Sequence, residues 1–98
     1  MYIKIHESYR KIVALCDESL IGKTFTEGIK QIEVRPNFFN GEKTSKKEAI
    51  KTLQDMNKED ATFFIVGKES VQTALDAKVI SKKGIMNIEE VPVALGLF

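Results

Sequence analysis

Gly22-Lys23-Thr24, inside the stretch LCDESLIGKTFTEG from Leu15 to Gly28, has the order that closes a phosphate-binding loop. The full pattern G-x-x-x-x-G-K-[ST] needs its first glycine because the chain must turn sharply there for successive N–H groups to face the phosphates. In this chain that position holds Asp17, whose carboxylate would lie beside a polyphosphate. Phe25-Thr26-Glu27-Gly28 is also a poor start for the helix that should follow. The residues therefore read as a surface loop, with Gly22 and Gly28 free to take positive φ and Leu20, Ile21 and Phe25 tucked beneath.

His6 and Cys16 are the chain's sole imidazole and sole thiol, so a cysteine nucleophile with a histidine base would have to use this pair. Two such ligands are too few for an all-protein zinc or iron site, and neither a metal nor a cofactor is expected. The adjacent carboxylates Asp17-Glu18, Glu59-Asp60 and Glu89-Glu90 would point to opposite sides of a strand or face water on a loop, so none reads as an acid/base couple. No catalytic residue is assigned.

Lys43, Lys46 and Lys47 carry a more specific implication. They gather at the start of a predicted helix, where unpaired N–H donors and the helix dipole already concentrate positive charge. An anion would relieve that conflict, and an RNA phosphate is the obvious candidate. Lys23 and Thr24 in the opening loop and Lys68 at the start of a second predicted helix would extend the patch. Phe38-Phe39 could stack bases, although phenylalanines beside an Asn-Gly turn are more often core residues.

The elements that must position these groups follow from periodicity. Ile3 and Ile5 alternate with Tyr2, Lys4 and His6, and Lys11 to Cys16 follows a short polar turn, so the opening reads as an antiparallel hairpin. A Tyr9-Arg10 loop would set Ile3 against Cys16, Ile5 against Ala14 and Glu7 against Ile12, leaving His6 and Cys16 on opposite faces. Ile29 to Val34 reads as a third strand that Pro36 ends. Ser45 to Glu48 is a capping box, and Ala49, Ile50, Leu53 and Met56 behind it predict a helix from about Lys46 to Asn57. Thr62 to Gly67 reads as a buried strand. The following KESVQTALDAK places Val71, Ala74, Leu75 and Lys78 at helical spacing. The final stretch, IMNIEEVPVALGLF, suggests a short strand that Pro92 confines to an edge or ends early.

Together these elements predict one domain over residues 1–98, of class α+β, with two helices packed on a mixed, largely antiparallel sheet of four to six strands. Fifteen cationic and fourteen anionic side chains leave a net charge of +1, so any RNA binding must come from a local patch rather than from bulk charge. The single cysteine and the absence of a visible apolar leader or membrane span point to a cytoplasmic, unanchored protein. Thirteen lysines, ten glutamates and no tryptophan resemble the usage of heat-adapted proteins. ALGLF at the end, if not folded back as a strand, would be an apolar surface for a homodimer.

Leu15-Cys16-Asp17-Glu18, Leu20, Gly22-Lys23-Thr24-Phe25, Glu27-Gly28, Phe38-Phe39, Gly41, Val66-Gly67 and Val91-Pro92 together resemble an archaeal family of about one hundred residues, the domain of unknown function numbered 424. The most specific piece is C-D-E-x-L-x-G-K-T-F-x-E-G, which includes Cys16, Asp17, Gly22, Phe25 and Gly28. The resemblance implies an archaeal cytosolic α+β protein without an established activity, encoded near translation-initiation and ribosome-maturation genes. Many members carry a histidine directly after the C-terminal proline, where this chain has Val93; a role resting on that histidine is not available here. The expected function is a non-catalytic module that binds RNA, the ribosome or a translation-related protein. The alternative is a small enzyme or binding protein for a phosphorylated metabolite, with Lys23 holding the phosphate and Asp17 or Cys16 acting on the substrate.

Overall fold

The computed structural model describes residues 1–96. Strand β1 (Tyr2–His6) pairs antiparallel with β2 (Ile12–Cys16), and β2 lies parallel to β6 (Thr62–Val66). Strands β8 (Val91–Gly96) and β7 (Ile85–Ile88) continue the sheet, and the two-residue β5 (Glu42–Lys43) closes its other edge, giving the order β5-β1-β2-β6-β8-β7. Among the described residues only the β2·β6 pair is parallel. Strands β3 (Thr24–Glu27) and β4 (Lys30–Glu33) form a separate hairpin.

Three layers result. Helices α2 (Lys46–Asn57) and α3 (Lys68–Asp76) cover one face of the sheet, burying Ala49, Leu53, Val71 and Ala74 against Val13, Leu15, Phe63 and Ile65. The β3–β4 hairpin and the one-turn helix α1 (Pro36–Phe39) cover part of the other, where Phe39 and Val34 meet Ala14, Cys16, Val66 and Val93. Alternation along β2 and β6 feeds both cores, so these strands are apolar on both faces.

Helix α2 has the bounds its capping box and apolar spacing predict. Ser45 Oγ accepts from the Glu48 N–H at 3.2 Å, while the Glu48 carboxylate accepts from the Ser45 N–H at 3.4 Å. Reciprocal caps of this kind stabilise a helix start by about 1 kcal/mol. Helix α3 ends at Asp76, and Lys78, beyond it, takes a left-handed φ of 62°.

Four expectations are corrected. The β1–β2 register is shifted by one residue: Tyr2 faces Cys16, Ile3 faces Leu15, Ile5 faces Val13 and His6 faces Ile12. The cause is the connection, where the Ser8 hydroxyl donates to the Arg10 carbonyl and Tyr9 sits alone at the tip. An odd loop moves every side chain to the other face, so Ile3 and Ile5 share the face of Val13 and Leu15; Ile3 packs under the helices while Ile5, near the strand end, stays exposed. Second, Thr24–Glu27 is a strand and not loop. Third, Pro36–Phe39 adds a short helix, with Pro36 at the first helical position that proline favours.

Fourth, Pro92 lies on an interior strand. Gly67 sits opposite it, and the Pro92 carbonyl accepts from the Gly67 N–H at 2.9 Å. The return bond would need a donor at residue 92, but the Gly67 carbonyl is already taken by the Val71 N–H at 2.8 Å, the first bond of α3. Proline is tolerated in this central strand because its missing donor falls where the partner strand has turned into a helix.

Candidate functional site

Asp17 follows β2 directly and its carboxylate reaches across to the start of α3. One oxygen accepts from the Glu69 N–H at 3.1 Å; the other accepts from the Ser70 N–H at 2.8 Å and the Ser70 hydroxyl at 2.7 Å. The carboxylate thus fills the position that an anion would take at a helix N-terminus. Gly67, with φ of 110°, makes the fit possible: a Cβ there would lie 2.3 Å from the Asp17 Cγ. Asp17 and Val66-Gly67, far apart in the chain, are one structural device.

The neighbouring Cys16 is fully buried between Ala14, Val66 and Phe39. Burial, aided by the adjacent Asp17 charge, pushes its thiol from 9.0 up to about 12, which leaves almost no thiolate for nucleophilic work. The register shift puts His6 and Cys16 on one face after all. They remain four strand positions apart, about 13 Å along the chain. The His6 ring instead stacks on Phe38 with centroids 4.3 Å apart, its Nε2 bonded to the Phe38 carbonyl at 2.9 Å. The geometry forms no dyad.

Gly22-Lys23-Thr24 leads into β3. The Gly22 N–H donates to the Val34 carbonyl at 2.7 Å, the Lys23 N–H to the Leu20 carbonyl at 3.1 Å, and the Lys23 carbonyl accepts from Val34 at 2.9 Å. The amides that would cradle a phosphate are therefore spent inside the chain. Gly22 and Gly28 take φ of 87° and 63°, the latter opening the two-residue turn that pairs Glu27 with Lys30. Phe25 packs beneath, beside Leu20 and Ile21.

What the Lys23 side chain does border is a cleft of about 120 Å³ lined by Gly22, Lys23, Thr24, Glu33, Val34, Arg35 and Pro36. Glu33 and Arg35 also wall a larger groove, of about 370 Å³, floored by Ile32, Phe38, Phe39 and Phe64 and rimmed by Gln31. The three phenylalanines meet edge to face, with centroids 5.1 to 5.8 Å apart. Phe39 is buried, while Phe38 and Phe64 are half-buried and present ring surface to the groove. Arg35 Nε donates to the Glu33 carboxylate at 3.0 Å, an exposed pair that holds the guanidinium on the ridge between the two depressions.

The other lysines are dispersed. Lys43 pairs with Glu18 at 3.5 Å and Lys46 with Asp76 at 2.7 Å, so each has an anion from its own chain. Hydrogen bonds from Lys46 and Gln72 hold the Asp76 carboxyl below its ordinary value. Lys47 and Lys68 are exposed and form no ion pair among the described residues. At least one member of each adjacent carboxylate pair is occupied: besides Asp17, Glu18 also accepts from the Tyr2 hydroxyl at 3.3 Å, Glu59 pairs with Lys11 at 2.7 Å, and Glu89 accepts from the Thr26 N–H at 3.3 Å. Among the described residues no three His, Cys, Asp or Glu side chains come together as metal ligands, and no helix is long and apolar enough to cross a membrane.

Gln31, Ile32, Glu33, Arg35 and Phe64 are the groove residues that sequence reasoning missed. Arg35 beside Pro36 had a weak signal, one of only two arginines in a lysine-rich chain, whereas nothing local marks Phe64. Of the C-terminal ALGLF, Ala94 and Gly96 are buried in β8 and Leu95 is half exposed; Leu97 and Phe98 lie outside the described residues.

A family profile described as protein of unknown function (DUF424) matches residues 5–96. A solved structure, the crystal structure of an uncharacterized conserved protein from Methanopyrus kandleri, is similar in fold. Its TM-score is 0.84 at 20% identity, with 96% of this chain and 87% of that one covered. No curated protein gave a significant match.

Proposed function

The chain belongs to the DUF424 family of proteins of unknown function, and from its geometry we propose that it is a non-catalytic module that binds single-stranded RNA. The observation that carries this reading is the continuity of an aromatic groove with a cationic cleft across one ridge, Glu33 to Arg35, that lines both. Such a pairing suits a nucleotide whose base lies against Phe38 or Phe64 while its phosphate meets Lys23 and the outer face of the Arg35 guanidinium, whose Nε stays on Glu33. Stacking on an aromatic side chain contributes roughly 1 to 3 kcal/mol per base and is tolerant of sequence. A guanidinium fork and an ammonium supply the backbone contacts. The ribosome and translation factors bound to RNA are the natural context for such a module.

Fluorescence anisotropy with a labelled single-stranded oligoribonucleotide at low salt tests the proposal. Lys23→Ala, Arg35→Ala and Phe38→Ala should each weaken binding, and Lys46→Ala with Lys47→Ala should change it little. No binding at low salt, or binding untouched by the first three substitutions, would sink it.

The 370 Å³ groove also falls within the size of small-ligand sites, which favours a phosphorylated metabolite as the second reading. That reading now lacks catalytic groups, since Asp17 is engaged in capping and Cys16 is buried and protonated. A ligand found by thermal shift that raises the melting temperature, with no RNA binding, would select it.

A further inference from the structure

The β3–β4 hairpin has two outer edges, and the parity of its ladder identifies the groups on each. The Val34 N–H donates to the Lys23 carbonyl at 2.9 Å, so Lys23 and Val34 face each other as a hydrogen-bonded pair. Counting along the register, Phe25 with Ile32 and Glu27 with Lys30 are bonded pairs, whereas Thr24 with Glu33 and Thr26 with Gln31 are not. The Thr26 N–H agrees with this parity, because it turns away from β4 to the Glu89 carboxylate at 3.3 Å.

On β4 the same parity sends the N–H and C=O of Gln31 and Glu33 away from β3. Both residues wall the aromatic groove. No group among the described residues bonds to these two amides or these two carbonyls. Glu89 thus closes the β3 edge, and the β4 edge lies open beside Phe38 and Phe64.

An outward strand residue offers one donor and one acceptor side by side. The Watson–Crick edge of a base carries an adjacent donor and acceptor as well, and both are free only when the base is unpaired. Gln31 and Glu33 stand two strand steps, about 7 Å, apart. Bases in a duplex stack at roughly half that spacing, so two successive bases reach both residues only when unstacked. The half-buried rings of Phe38 and Phe64, with centroids 5.8 Å apart, offer two apolar surfaces at a comparable spacing for bases that have left a stack.

We propose that the open edge of β4 reads the RNA, the main-chain N–H and C=O of Gln31 and Glu33 bonding the Watson–Crick edges of two successive unpaired bases. This role rests on the RNA reading of the groove, in which Lys23 and Arg35 meet the phosphates. It adds the selection of single strands over duplex with little preference for sequence, since every base has such an edge and pairing hides it.

Proline at position 31 tests the role, because the N–H there is not used by the hairpin and an edge strand accepts proline where its N–H points outward. With a labelled single-stranded oligouridylate, Gln31→Pro should weaken binding roughly three- to tenfold, the loss of about one hydrogen bond. Gln31→Ala keeps the N–H and should bind as wild type does. Thermal melting of the two variants shows whether both stay folded. The wild type supplies a measurement free of that risk: amide exchange at Gln31 and Glu33 should slow when oligouridylate saturates the protein. The same strand annealed to its complement should bind clearly more weakly. Folded Gln31→Pro that binds as wild type, Gln31→Ala as weak as Gln31→Pro, unchanged exchange at both amides under saturation, or equal binding of the duplex would each overturn the main-chain role and leave the RNA reading standing. A wild-type chain that binds no oligouridylate at low salt would overturn both.

Discussion

The Asp17 carboxylate is held twice by Ser70, through the backbone N–H at 2.8 Å and the side-chain hydroxyl at 2.7 Å. Ser70 is fully buried, so this contact joins the end of a parallel strand to the start of the helix that follows its neighbour. Asp17→Ala should destabilise the protein by about 2 to 3 kcal/mol, because a helix cap is lost and a buried hydroxyl loses its acceptor. Urea denaturation would measure it. A cost below about 0.5 kcal/mol, the level of an ordinary surface change, would contradict this assignment.

Gly67→Ala should be at least as damaging as Asp17→Ala, since the new methyl meets the carboxylate and φ of 110° disfavours any side chain. Combined with Asp17→Ala, it should cost clearly less than the sum of the two, because removing the carboxylate makes room. A double-mutant cycle reads this coupling directly. Strict additivity would mean that the clash is relieved elsewhere.

Cys16 makes an alkaline prediction. Its thiol rises from 9.0 to about 12 in the folded protein, so the native state holds its proton where the unfolded state has lost it. Stability from this group is complete below about pH 9 and falls as pH rises from there towards about 12. Cys16→Ala should flatten that decline whatever it does to stability at neutral pH. Thiol reagents at pH 8 should modify the native protein far more slowly than the unfolded one.

The Lys46 and Asp76 pair predicts the acid side. Its carboxyl is held below the ordinary value mainly by the Lys46 hydrogen bond, so the contribution is present above about pH 4 and is lost as pH falls through the folded value. Lys46→Ala should therefore melt slightly lower than wild type near neutrality, and the two melting curves should converge in acid. The pair is exposed, so added salt should shrink the difference.

Adjacent phenylalanines should behave differently. Phe39→Ala, at a site 1% exposed, should cost about 3 to 4 kcal/mol through the cavity it leaves. Phe38→Ala removes a half-buried ring that stacks on His6, so it should cost less and act mainly on ligand binding. Denaturation curves measured alongside the anisotropy titrations separate the two effects.

Helix α2 was legible because its signals are local: a reciprocal cap at Ser45 and Glu48 and one apolar face lie within a few turns of each other. The buried strand Thr62–Val66 and the helix after it were legible for the same reason. The β1–β2 register was not, because it depends on the length of the exposed connection between His6 and Ile12, where one residue more or less is invisible in the strand pattern, and parity does the rest. Pro92 misled because the rule against proline in central strands assumes that the opposite carbonyl needs a donor. Whether it does depends on α3.

The signature from Cys16 to Gly28 shows the same division. Its order alone excluded a nucleotide loop, since Asp17 stands where a sharp glycine turn is required, and it marked Gly22 and Gly28 as turning points through their freedom at positive φ. Only the tertiary structure decided that Asp17 caps a helix more than fifty residues away and that Lys23 and Arg35 border a common cleft. Capping partners and groove walls are set by which strands become neighbours, and that follows from summed burial over the whole chain rather than from any one segment.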